Sequence, residues 1–133
     1  MLYLGFSSAL SGTFNAGHQA MESLKETYPD RKLIAVDTLC ASLGQGLMVL
    51  LAQRKKDAGA SIEEVAEYVE QNKLHLCHWF TMPDLEHLRR GGRVSGVSAV
   101  VGTLLNIRPV MHVNNLGELK YVSKTRGQRA VFQ

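Results

Sequence analysis

At 133 residues the chain is long enough for one domain and too short for two ordinary ones. Its 45% hydrophobic and 20% charged content exclude a disordered or fibrous chain, and no apolar run reaches the roughly 18 residues of a membrane span. The net charge of +3 is unevenly spread: 7 Lys/Arg stand against 11 Asp/Glu up to Leu88, and 8 Lys/Arg against Glu118 alone from Arg89 onward. Such a basic third suits an anionic partner, or a solvated face balanced elsewhere.

In chain order, "LYLGF" is a short apolar run ending in small polar residues, as a buried parallel strand would be. Phe14, His18, Met21, Leu24 or Lys25, and Tyr28 then fall at helical spacing, with Pro29 as a stop. "KLIAVD", Lys32 to Asp37, reads as the second strand of a βαβ unit. The loop "TLCASLGQG" leads into a helix from Leu43 to Ala58. Ser61 opens a third helix with a capping box to Glu64, and Ile62, Val65, Ala66 and Val69 form its buried stripe. "LHLCHWF" is a candidate third strand of the same layer.

From Pro83 the character changes. "PDLEHLRRGGRVSG" places Pro83 in a first helical turn and Gly91-Gly92 as a stop, and "VSAVVGTLLN" reads as a short apolar helix. "IRPVMHV" and "ELKYVSK" flank Asn114-Asn115-Leu116-Gly117, a hairpin signal, and Pro109 in the first arm argues for an edge strand. "RGQRAVFQ" opens a further helix. The expected fold is α/β: a βαβ-type, partly parallel sheet with flanking helices over residues 1–82, then helices and a hairpin of a second α/β domain over 83–133. A chain that begins inside a strand and stops inside a helix reads as part of something longer.

The stretch "FSSALSGTF" lies between the first strand and the first helix, at the carboxyl end of a parallel strand, where open α/β sheets bind ligands. A helix N-terminus offers unpaired N–H groups and about half a positive charge, which suits phosphate or carboxylate. Ser7 and Ser8 add hydroxyl donors, Gly12 admits close backbone approach, and Ser11 or Thr13 can cap the helix. No Walker lysine or dinucleotide fingerprint accompanies them. His75, Cys77, His78 and His87 do not converge on a strand, so no metal site is expected. Asp37 is an acid or base candidate, or a cap for the following turn, and His18 is assigned to its helix's buried stripe. No Ser-His-Asp arrangement supports a catalytic centre. Cys40 and Cys77 fit no metal or redox spacing, and with no signal peptide they suit free thiols in a cytoplasmic protein. Arg89, Arg90 and Arg93 form the densest basic cluster.

Four blocks carry a resemblance: "FSSALSGTFNAG", "VDTLCASLGQG", "LEHLRRGGRVSGVSAVVGTLLNIRPVMHVNNLGEL" and "KTRGQRA". In this order they resemble the DegV family of bacterial fatty-acid-binding proteins, from Phe6 to Ala130. The resemblance implies a protein about twice as long, two α/β domains with one fatty acid between them, and a role as the lipid-carrying subunit of a fatty acid kinase. It implies that Ser8, second of the serine pair, contacts the lipid carboxylate. The arginine block would lie beside the pocket, near the surface where the kinase docks. A threonine of an upstream "TSQPS"-type segment and a histidine of a downstream "THxGPG" segment would complete the family's pattern outside these residues. A tail of ~14 methylenes at roughly 0.8 kcal/mol each brings on the order of 10 kcal/mol before ordering costs. No cofactor, nucleic acid or stable membrane insertion is expected, although a basic nucleic-acid-binding module remains a rival reading, as does an enzyme acting on a small anionic metabolite at the same turn.

Overall fold

Two short parallel strands, β1 (Leu2–Gly5) and β2 (Ile34–Asp37), are connected through α1 (Thr13–Thr27) and paired in register from Leu2 opposite Ile34 to Gly5 opposite Asp37. The computed structural model describes residues 1–83, 90–93 and 107–127. After β2 come α2 (Ser42–Asp57), α3 (Ile62–Asn72) and a 3₁₀ turn at Lys73–His75. Then come β3 (Trp79–Thr81), β4 (Ile107–Val113) and β5 (Leu119–Arg126), an antiparallel sheet in the order β3-β4-β5. The fold is mixed α/β, as the sequence implied. The expected helices at Pro83, "VSAVVGTLLN" and "RGQRAVFQ" lie outside the described residues for most or all of their length.

The chain divides into two compact units. Met1–Leu76 and the hairpin tip Asn115–Gly117 form the first, and Cys77–Asn114 with Glu118–Gln133 the second. In the first, Val36 of β2 packs with Met48 and Ala52 of α2 and Val65, Ala66 and Val69 of α3. The stripe read from the sequence of α3 is therefore its core face, with Ile62 only half-buried. Ser61 starts this helix as expected: its hydroxyl accepts the Glu64 N–H at 3.2 Å, and Glu64 Oε2 accepts the Ser61 N–H at 2.7 Å.

α1 departs from its expected stripe. Only Met21 is buried, and the His18 side chain is 49% exposed, stacked on Phe14 at 5.8 Å. Glycines set the packing instead. A Cβ on Gly5 would lie 2.5 Å from the Phe14 ring, and one on Gly17 would lie 2.6 Å from the Tyr3 ring. The helix thus meets β1 through Phe14 and Gly17, and His18, one position round from Gly17, turns to solvent.

The outer edges of the two-stranded sheet are met by side chains. Met1 and Gly5 carbonyls accept from β2 and its extension, so Leu4 C=O points the other way, where Gln45 Nε2 donates to it at 3.0 Å. On the far side of β2, Lys73 Nζ donates to Asp37 C=O at 3.1 Å and pairs with Glu70 at 2.6 Å.

"LHLCHWF" is not a strand of this layer. Lys73–His75 wind into the turn that extends α3, and Trp79–Thr81 pair with β4, setting Phe80 opposite the fully buried Met111. β4 is the central strand of the second sheet rather than an edge, yet Pro109 fits. Val113 N–H donates to His78 C=O, so odd-numbered N–H groups of β4 face β3, and β3 pairs no further than Val110. The donor that proline lacks falls where no described strand needs it. The hairpin forms where expected, with Asn114 accepting the Glu118 N–H through Oδ1 and Gly117 at φ +74°.

Candidate functional site

The serine-rich turn leaves the carboxyl end of β1 and enters α1. Main-chain pairing continues past the strands: Thr38 N–H donates to Gly5 C=O, and Ser7 N–H to Cys40 C=O at 2.9 Å. Ser7 C=O then accepts from Leu10 and Ser11, which folds the turn back on itself. This pins Ser7 inward. It is fully buried, and its Oγ donates to Gly117 C=O at 2.8 Å. Ser8, one residue on, is exposed, and its N–H points at both oxygens of Asp37, 3.3 Å from each.

Asp37 also accepts the Leu39 N–H at 3.0 Å through Oδ1, so it caps the turn after β2 as the second of its two readings had it. Next to it, Thr38 is fully buried, its hydroxyl donating to Gly5 C=O at 2.7 Å and accepting from Cys40 N–H. Leu39 follows at φ +52°, a left-handed conformation uncommon for a bulky residue, and Ser42 lies at +47°. Burial pushes the Cys40 thiol above its ordinary range, which keeps it protonated and donating to Thr38 C=O.

Ser11 and Thr13 share a hydrogen bond at 2.7 Å, and Ser11 Oγ accepts the Thr13 N–H, a local capping role. Gly12 holds the N-cap position at φ −67° with open space where a Cβ would stand. The turn therefore brings Ser7, Ser8, Ser11, Gly12 and Thr13 together with Asp37 and presents the Ser8 side chain outward. Thr38, Leu39 and Gly117 also build the site; the sequence marked Gly117 only as a turn residue.

Elsewhere in the first unit, a cavity of about 610 Å³ is bounded by Leu2 and Leu4 of β1, Val49 and Ala52 of α2 and Val65 of α3; no residue of the serine turn lines it. In the second unit, Arg90 and Arg93 are exposed around Gly92, whose φ of +68° matches a helix stop, and Arg93 donates to Gly91 C=O. Arg89 and His87 lie outside the described residues. Among the described residues no three His, Cys, Asp or Glu side chains gather as a metal site, and no helix is long and apolar enough to cross a membrane.

A parallel β1–β2 pair crossed over by α1, with a hydroxyl-rich turn at the carboxyl end of β1, defines an α/β protein; open sheets of this class bind ligands at that end. The chain belongs to the DegV family: a family model described as an uncharacterised DegV protein matches residues 1–133. A DegV domain-containing protein of Clostridium perfringens is 50% identical over 97% of this chain and 44% of its own. A DegV-family structure from Ruminococcus gnavus, refined with vaccenic acid, superposes with a TM-score of 0.89 at 28% identity, covering 98% of this chain and 46% of that one. The Fatty Acid Kinase (Fak) B3 protein of Streptococcus pneumoniae, loaded with linoleic acid, gives a TM-score of 0.84 at 30% identity over 95% of this chain and 45% of its own. The chain spans less than half the length of the curated relatives it matches.

Proposed function

We propose that the protein binds a long-chain fatty acid, holds the carboxylate at the serine turn through Ser8, and presents it to a fatty acid kinase subunit without catalysing the transfer itself. The observation that carries this is the exposure of Ser8 on a turn whose other hydroxyls are engaged within the fold. Ser7 is turned inward to Gly117, Ser11 and Thr13 bond each other, and the Ser8 N–H is taken by Asp37. Ser8 is exposed on the turn that leads into α1, where a carboxylate would gain from its hydroxyl and from the helix field. Fatty acids bound in the similar structures support the ligand class. Arg89, Arg90 and Arg93 are assigned to the docking of the kinase.

Mass spectrometry of an organic extract of the gently purified recombinant protein tests this reading. A stoichiometric long-chain fatty acid is the expected result. An empty protein that also fails to take up added oleate overturns it.

A further inference from the structure

We infer that Gly117, 110 positions from Ser7, is a positioning residue of the anion site and sets its preference for a carboxylate over a neutral lipid head. The inference rests on the assignment of the carboxylate to Ser8.

Ser7 is fully buried, and a buried hydroxyl without a partner is costly, so its bond to Gly117 C=O fixes the direction of the side chain. Ser8, the next residue, opens the turn that Ser7 C=O closes with Leu10 and Ser11, and is exposed. The space at Gly117 is fitted to this arrangement: a Cβ there would stand 2.2 Å from Ser7 Oγ, 3.2 Å from Leu39 Cδ2 and 3.3 Å from Leu39 Cα. Two supports of Ser8 converge on that one point. Ser7 is its covalent neighbour, and Leu39 gives its N–H to the same Asp37 carboxylate that accepts the Ser8 N–H. A methyl at Gly117 presses on both. The φ of +74° adds strain for any residue with a side chain. The hairpin tip, distant in sequence, thereby becomes the rear wall of the serine turn, while Ser8 itself makes no contact with it that the substitution would remove.

The test compares oleate with methyl oleate in wild type, Gly117→Ala, Ser7→Ala and the tip control Asn115→Ala. A charge-assisted hydrogen bond corresponds to about 10- to 150-fold in affinity, so wild type should prefer the free acid by at least about tenfold. Gly117→Ala and Ser7→Ala should lose most of that preference through weaker acid binding, with ester affinity within about twofold of wild type; Asn115→Ala should keep it. A structural defect alone would weaken acid and ester by the same factor, and that result overturns the inference. So does an undiminished acid preference in Gly117→Ala, which leaves the Ser8 assignment standing. If Gly117→Ala does not fold, Ser7→Ala decides, because it removes the bond with no left-handed strain. No acid preference in wild type overturns both the Ser8 assignment and the positioning role.

Discussion

Asp37 holds the main-chain N–H of Ser8 between its two carboxylate oxygens, 3.3 Å from each. A negative charge thus already occupies the position from which the turn's N–H would otherwise reach a ligand. On the proposed reading, an incoming carboxylate would be left to the Ser8 hydroxyl and the helix field. Ser8→Ala should therefore find no substitute donor at this residue and cost roughly 1.5–3 kcal/mol of fatty-acid affinity. Isothermal titration with a folded mutant checks this, and unchanged affinity removes Ser8 from the site.

Ser61→Ala should lower the stability of the first unit by about 0.5–2 kcal/mol, since its hydroxyl accepts the Glu64 N–H, one half of the reciprocal pair at the start of α3. These bonds hold the Glu64 carboxyl below its ordinary pKa, the Ser61 main-chain N–H being the largest cause. A depressed carboxylate stabilises the fold above its unfolded pKa, and this is lost as pH falls through the folded value. Because Ser61→Ala keeps this main-chain N–H, the pH-dependent part is read from Glu64→Ala: thermal melts at neutral and at acid pH should show its penalty shrinking on acidification, and a pH-independent penalty contradicts the capping box as its source.

His78 should make the second unit acid-sensitive. Among the described residues its buried Nε2 has no hydrogen-bond partner, and desolvation pushes the imidazole below its ordinary value. A histidine kept neutral by the fold favours folding at pH above its unfolded pKa, and that advantage is lost as pH falls through the folded one. Between about pH 7 and 5, melting temperature should fall more steeply in wild type than in His78→Asn. Parallel profiles would assign the acid response to other groups.

The basic cluster should matter for association more than for the fold. Arg89→Glu with Arg90→Glu is expected to leave melting and lipid content close to wild type while slowing acyl-phosphate formation with purified kinase, and the wild-type reaction should weaken as salt rises. Arg93 is excluded from the pair because it donates to Gly91 C=O and so belongs to the local backbone. Normal turnover in the double mutant returns these arginines to the solvated surface.

What the sequence made legible is what neighbours in the chain encode. Ser61 and Glu64 announce a helix start three residues apart, and Asn114 to Gly117 announce a hairpin in four. Hydrophobic period identified α3 correctly but misjudged α1, because Gly17 had no weight in the pattern and yet is where β1 approaches. Ser7 and Ser8 are the same residue type side by side, and composition could not separate them. The structure separates them: burial alternates from Gly5 through Ser7, so the strand's alternation outlasts its ladder and turns the first serine inward. The partner of Ser7 is 110 residues away, a distance no local pattern spans.

The side chains that meet the edges of the two-stranded sheet have a further consequence. Gln45 occupies Leu4 C=O and Lys73 occupies Asp37 C=O, both at the end of the sheet that carries the serine turn. A third strand laid along either side would find its last rung already taken there. It would be guided to register near Leu2 or Ala35 and halted before the turn. The two helical side chains act as end-stops: the sheet can be extended sideways while the rim that carries the serine turn stays open.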